Sequence, residues 1–283
     1  MKPLSIFLDT NAVRYFGIAF EKVQLGAEMM ERIVISPLSA FEVFAQLGDE
    51  NPAIADSVFR QIRAIRNWTN PKHAVLLPWP DTMLQSLWHQ KDVQDDDFRK
   101  RMQGSLNVIL TVDSLISLKP EALQQKQTMD DFKNTMAHDF KNMLDDLKKQ
   151  QGKKEKQKAK PVDTTVPWFN GIAKRAKADA NSKTISEVES LLGAYHEFEQ
   201  TKLQTALVNV KYNPLSLKNR NDIVDSEQLI YLGDPSLYML TADNGIKSKV
   251  IKSQQAARIV VASPEELSNS TKAEAVLKYA LGL

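Results

Sequence analysis

The feature that most constrains this 283-residue sequence is a strand-then-helix alternation at both ends of the chain, interrupted by a long central stretch of purely helical periodicity. Leu4 to Leu8 is a short apolar run closed by Asp9-Thr10-Asn11, which suits a buried parallel strand whose C-terminal end delivers polar residues to a sheet edge. Arg32-Ile33-Val34-Ile35 predicts a second strand, and Ser36-Pro37 starts a helix over Leu38 to Leu47. A helix over Ile54 to Trp68, a third strand over Ala74 to Leu77 and a helix from Pro80-Asp81 follow. Beyond Pro214 the alternation returns, with a helix through Asp222 to Leu232 and a strand over Leu237 to Leu240. A helix after Asp243, a strand over Arg258 to Val261 and a terminal helix from Pro264 complete it. The class is α/β, with a mostly parallel central sheet and a ligand edge at the C-terminal ends of its strands.

Between about Lys91 and Tyr212, Met129, Phe132, Met136, Phe140, Met143 and Leu147 recur at helical steps, as do Ile185, Val188, Leu192, Tyr195 and Phe198. The two stripes flank Lys148 to Lys160, a lysine- and glutamine-dominated segment that reads as a solvated, mobile connection. Its seven positive charges also make it a candidate for gripping phosphates, although a linker is the simpler reading. The organisation is therefore a core divided between residues 1–91 and 212–283, with a helical hairpin region inserted over 92–211.

The absence of cysteine excludes disulfides, zinc–thiolate sites, iron–sulfur clusters and a thiol nucleophile, and it fits a reducing cytoplasm. A formal net charge of +2 is too mild to announce a nucleic-acid binder by itself. No secretory signal and no membrane-spanning apolar run is legible, so a soluble cytoplasmic protein without membrane contact is expected. Neither a Walker loop nor a dinucleotide fingerprint occurs among the ten glycines.

The chemistry resides in carboxylates. Asp9 and Asp243 each follow a strand, Glu42 lies in the helix beyond the second strand, and Asp222 and Asp225 are three apart on one helix face. Acids brought together at one sheet edge repel and take up protons unless a cation neutralises them, and an oxygen-rich site suits Mg²⁺ or Mn²⁺. One or two such metals would activate water and stabilise charge on the oxygens of a phosphodiester, with no nucleophilic side chain required. Each acid also has an ordinary reading: Asp9, Asp222 and Asp243 as N-caps, and Ser39 with Glu42 as a capping box. Within the Asp222–Asp225 pair, the first acid suits a cap and the second a metal. His138-Asp139 resembles a metal-binding pair but has no second histidine at a helpful spacing.

The order Phe7-Leu8-Asp9-Thr10-Asn11, Ser39-Ala40-Phe41-Glu42, Asp225 in an apolar helix, and Leu240-Thr241-Ala242-Asp243 at a strand end resembles the PIN-domain nucleases. The resemblance covers roughly residues 1–91 and 212–283 and implies a three-layer α/β/α fold, a divalent-metal site and phosphodiester hydrolysis, of RNA more often than DNA. It carries over Asp9, Glu42, Asp225 and Asp243 as catalytic, metal-binding acids and Asn11 and Thr241 as polar support. Asp222 competes for the third position or adds a fifth acid. The helical insertion departs from the compact toxins of the family and offers a surface for a regulatory protein or a second copy of the chain. The alternatives are a catalytically silent scaffold that binds RNA or protein, and a structure-specific DNA nuclease.

Overall fold

The computed structural model describes residues 3–69, 76–92, 97–152, 164–209 and 211–283. Its strands are β1 (Ser5–Leu8), β2 (Ile33–Ile35), β3 (Leu237–Thr241) and β4 (Ile259–Val261), which form one parallel sheet in the order β2-β1-β3-β4. In the first part of the chain the helices are α1 (Thr10–Ala19), α2 (Ala27–Met30), α3 (Pro37–Ala45), α4 (Pro52–Arg63) and α5 (Pro80–His89). The central stretch supplies α6 (Asp97–Thr111), α7 (Lys119–Gly152), α8 (Thr165–Arg175) and α9 (Ile185–Val208). The chain closes with α10 (Leu217–Gln228), α11 (Asn244–Lys249), α12 (Pro264–Leu267) and α13 (Ser270–Leu281). The protein is thus mixed α/β and mostly helical around a small parallel sheet.

The register explains why β1 reads as an unbroken apolar run. Leu8 pairs with Ile35 on one side and Leu240 on the other, so β1 is central and buried on both faces. Ile6 and Leu8 enter one core with Ile33, Ile35, Leu240, Phe16, Phe44 and Ile62. Phe7 points the other way into a second core with Met239, Ile259, Leu192, Phe198 and Tyr231. The expected third strand is represented among the described residues by one parallel bridge, Leu76 to Ile35, with the Leu77 N–H donating to the Ile35 carbonyl at 3.0 Å. Residues 70–75 lie outside the described residues.

Glycine sets one helix crossing. α1 passes so close to α4 that a Cβ on Gly17 would sit 2.5 Å from the Gln61 Cβ and 2.6 Å from its Cα. Backbone cannot yield as a flexible side chain can, so Gly17→Ala is expected to destabilise the fold by about 1–3 kcal/mol. Urea denaturation would measure this, and an unchanged midpoint would show that the crossing relaxes freely.

Several boundaries differ from the sequence reading; the helix read over Ile54 to Trp68, for one, is α4, which ends at Arg63, and a 3₁₀ turn through Asn67. α10 begins at Leu217, where the Ser216 side chain accepts from the Asn219 N–H, so Asp222 is interior and not a cap; beyond Gln228 the chain tightens into a 3₁₀ turn through Gly233. The terminal helix is two helices, because the Asn269 side chain accepts from the Lys272 N–H and starts α13 afresh. The lysine-rich segment begins as helix, since α7 runs to Gly152, and its remaining residues 153–160 lie outside the described residues.

The central helices are built into both cores. The first half of α7 places Ala122, Met129 and Phe132 against the first core, whereas α9 gives Val188, Leu192, Tyr195 and Phe198 to the second. The hairpin contact expected between them is confined to a third, small cluster of Phe140, Leu144 and Leu147 with Leu203 and Ala206. Met143 is exposed and Leu144 takes its place in the stripe. The tryptophans are packing residues: Trp68 meets Phe16 edge-on, Trp79 lies on Phe98, Trp168 stacks on His196, and Trp88 donates its indole N–H to Ser182 at 3.0 Å. Among the described residues no helix is long and apolar enough to cross a membrane.

Candidate functional site

Where β1 and β3 end side by side, the chain turns from each directly into a helix. Asp9 closes β1 and caps α1, its Oδ1 accepting the Ala12 N–H at 2.7 Å. The other oxygen, Oδ2, accepts the Thr241 hydroxyl at 2.5 Å. Thr241 Oγ1 in turn accepts the Asp243 N–H at 2.8 Å, and Asp243 caps α11 by accepting the Gly245 N–H at 2.6 Å. The capping reading of Asp9 and Asp243 therefore holds, and it also fixes both carboxylates at the same sheet edge. Thr241 therefore bridges the Asp9 carboxylate and the backbone of Asp243.

Glu42 arrives from α3. Ser36 caps this helix and Pro37 occupies its first position, so Glu42 lies in the second turn, and the capping box with Ser39 does not form. Ser39 instead donates its hydroxyl to Gln228 at 3.2 Å and ties α3 to α10. Glu42 Oε2 accepts the Thr10 hydroxyl, and Oε1 pairs with Lys133 Nζ at 2.5 Å.

Asp225 comes from α10, whose opposite side is clamped. There the Arg175 guanidinium bonds Glu227 at 2.5 Å, Asp81 at 2.7 Å and Tyr195 at 3.1 Å, joining α5, α8, α9 and α10. The Asp225 carboxylate itself receives no hydrogen bond or ion pair from the described residues, although it keeps only part of its surface. Burial raises its pKa well above the usual carboxylate range, and Glu42, Asp9, Asp243 and Asp222 push it further. Burial likewise raises Asp9 to about 7; Thr241 and the Ala12 N–H oppose that rise, while Glu42 and Asp243 add to it. The structure thus brings Glu42 and Asp243 within electrostatic reach of both Asp9 and Asp225, and those two within reach of each other.

Asp222 stands at the margin. It repels Asp225, but its own carboxylate is paired with Lys249 Nζ at 2.8 Å, and that ammonium lies 4.5 Å over the Phe198 ring. Asn11 is exposed in the first turn of α1 and makes no side-chain hydrogen bond among the described residues. His138 and Asp139 are exposed on α7.

Sequence reasoning missed Thr10 and Lys133. Thr10 had a signal, being part of the Asp-Thr-Asn run, whereas Lys133 had none, because a lysine beside an apolar stripe is ordinarily a solvated neighbour.

Among the described residues no group of three or more His, Cys, Asp or Glu side chains stands at metal-ligand spacing. Both oxygens of Asp9 and both of Glu42 are instead turned toward protein donors. The donor set nevertheless fits a hard divalent cation. It is all oxygen, it is under-neutralised, and it includes in Asp225 a largely buried carboxylate to which none of the described residues donates. Comparison with protein-family models, curated proteins and solved structures finds no match for this chain.

Proposed function

We propose that the protein is a divalent-metal-dependent nuclease with a three-layer, PIN-like α/β/α core drawn from residues 1–91 and 212–283, and that it cleaves RNA internally. The observation that carries this reading is Asp225: a carboxylate that receives no donor from the described residues, within electrostatic reach of Asp9, Glu42 and Asp243 at the C-terminal edge of a parallel sheet. Once its acids are ionised, such an arrangement destabilises the protein unless a cation completes it.

Asp9, Glu42, Asp225 and Asp243 would hold Mg²⁺ or Mn²⁺, which supplies the Lewis acidity that activates water and offsets charge on the phosphate. The chain's other residues position these acids. Thr241 orients Asp9 and, through its oxygen, the turn that carries Asp243. Thr10 orients Glu42. Asn11, exposed beside Asp9, offers its amide to a substrate oxygen. RNA is preferred to DNA on the resemblance to PIN-domain nucleases, and the insertion over 92–211 is the part that selects substrate or partner.

One observation favours a silent scaffold instead: Lys133 already places a positive charge on Glu42. The two readings separate when labelled single-stranded RNA, structured RNA, single-stranded DNA and duplex DNA are incubated with the protein in Mg²⁺, Mn²⁺ or EDTA. Metal-dependent cleavage of RNA is the expected result. Binding without cleavage in either metal would favour the scaffold, and cleavage confined to DNA would move the substrate class.

A further inference from the structure

The most unusual contact in the molecule joins the central helices to the acids. Lys133 sits within the 34-residue helix α7, between the core residues Met129 and Ala137, which hold the helix in place. Its ammonium reaches Glu42 Oε1 at 2.5 Å and donates to Asn221 Oδ1 at 3.0 Å. The Lys133 and Glu42 side chains are only 13% and 12% exposed, so this is an inward-facing ion pair and not a surface one. The next residue, Asn134, accepts a hydrogen bond from the Arg220 guanidinium. One turn of α7 therefore holds both α3, which carries Glu42, and α10, which carries Asp225.

We propose that Lys133 is a built-in competitor for the metal: its ammonium stands in for the divalent cation at Glu42, and metal binding requires it to leave. The proposal rests on the metal-site reading above. The physical argument is one of shared occupancy. Glu42 has two oxygens, one taken by Thr10 and the other by Lys133. An ammonium and a divalent ion on the same carboxylate oxygen would repel at short range in a site with little water to screen them. Lysine is suited to exchange, being a point charge on a flexible four-carbon stem with no fixed fork geometry. It follows that the insertion sets how much metal the site needs, and that α7 loosens from α3 when metal enters.

The test uses the full chain and follows Mn²⁺ binding by the loss of the free-ion paramagnetic resonance signal. Lys133→Met is expected to bind Mn²⁺ at least about tenfold more tightly than wild type, Lys133→Arg to stay within about threefold, and Asp225→Asn to lose most of the binding. If Lys133→Met binds no more tightly while Asp225→Asn still abolishes binding, the competition is overturned and the metal site stands. If wild type and Lys133→Met both fail to bind, or if Asp225→Asn changes nothing, the metal-site reading falls and the competition with it. Hydrogen exchange on wild type alone provides the check that needs no variant. Amides from Met129 to Ala137 should exchange faster in saturating Mn²⁺, and unchanged or slower exchange would show that Lys133 stays on Glu42.

Discussion

Asp225→Asn is expected to reduce metal-dependent cleavage by about 10³-fold or more and, in the same protein, to raise the Tm measured in EDTA. The first effect follows from charge. The amide keeps an oxygen but not the negative charge that binds a divalent ion, and several kcal/mol of transition-state stabilisation is worth about that factor in rate. The second follows from what the carboxylate meets without metal: burial, no donor among the described residues, and repulsion from Glu42, Asp9, Asp243 and Asp222. Relieving one such group stabilises a fold by about 0.5–2 kcal/mol, each kcal/mol being worth about 2–4 °C in a chain approaching this size. Single-turnover cleavage and thermal melting in EDTA measure the two halves. A variant that melts lower in EDTA would show that Asp225 serves the fold, and a variant that cuts like wild type would remove it from the site.

In EDTA, stability is expected to fall as pH rises from about 4 to above 7, and saturating Mg²⁺ or Mn²⁺ to suppress that decline. Asp9 ionises near 7 in the folded protein, against 3.8 for an unperturbed aspartate, and Asp225 is displaced in the same direction. Between those values the folded chain holds protons that the unfolded chain has released. The slope of unfolding free energy against pH is therefore negative there. The stability these groups contribute is complete below the ordinary carboxylate value and lost as pH rises through the folded one, an effect on the order of a few kcal/mol. The exposed capping acids Glu187 and Glu266 are displaced downward, so their contributions change below 4.5, at or under the lower edge of this window. Bound metal favours the charged carboxylates and flattens the profile. Urea denaturation at several pH values, with and without metal, reads the effect; stability in EDTA that holds level or rises from pH 5 to 8 would contradict the strain assigned to the acids.

Sequence patterning carried the sheet and the acids for a common reason. β1, β2, β3 and β4 are short apolar runs buried by immediate neighbours, and Asp9 and Asp243 follow β1 and β3 directly, so local order fixes their place. Glu42 and Asp225 were legible because each lies in a helix that returns to the same edge. Helix starts were less legible where two candidate caps compete. Ser216 and Asp222 are both good caps, and only the Asn213–Ser216 turn, held by a hydrogen bond from the Ser216 N–H to the Asn213 carbonyl, gives the earlier one priority. The hydrophobic stripe of α7 gave its periodicity but not its partners, because Met129 and Leu144 go to different clusters. Lys133 was invisible for a deeper reason. Its role depends on which charge faces it across three helices, and no spacing within α7 encodes that.

The hydrogen bond from Thr241 to Asp9 spans 232 residues of chain, and β1 has no partner on that side until β3 exists. A ribosome adding roughly 5–20 residues per second would therefore spend on the order of 10–50 s exposing the first acid before it delivers the strand that orients it. The earlier segments can collapse onto α1, α3 and α4 meanwhile, but the acid set stays incomplete. Whatever chemistry these carboxylates perform is thus withheld from the nascent chain, and from the message still threaded through the ribosome, until β3 and the turn that carries Asp243 have been made.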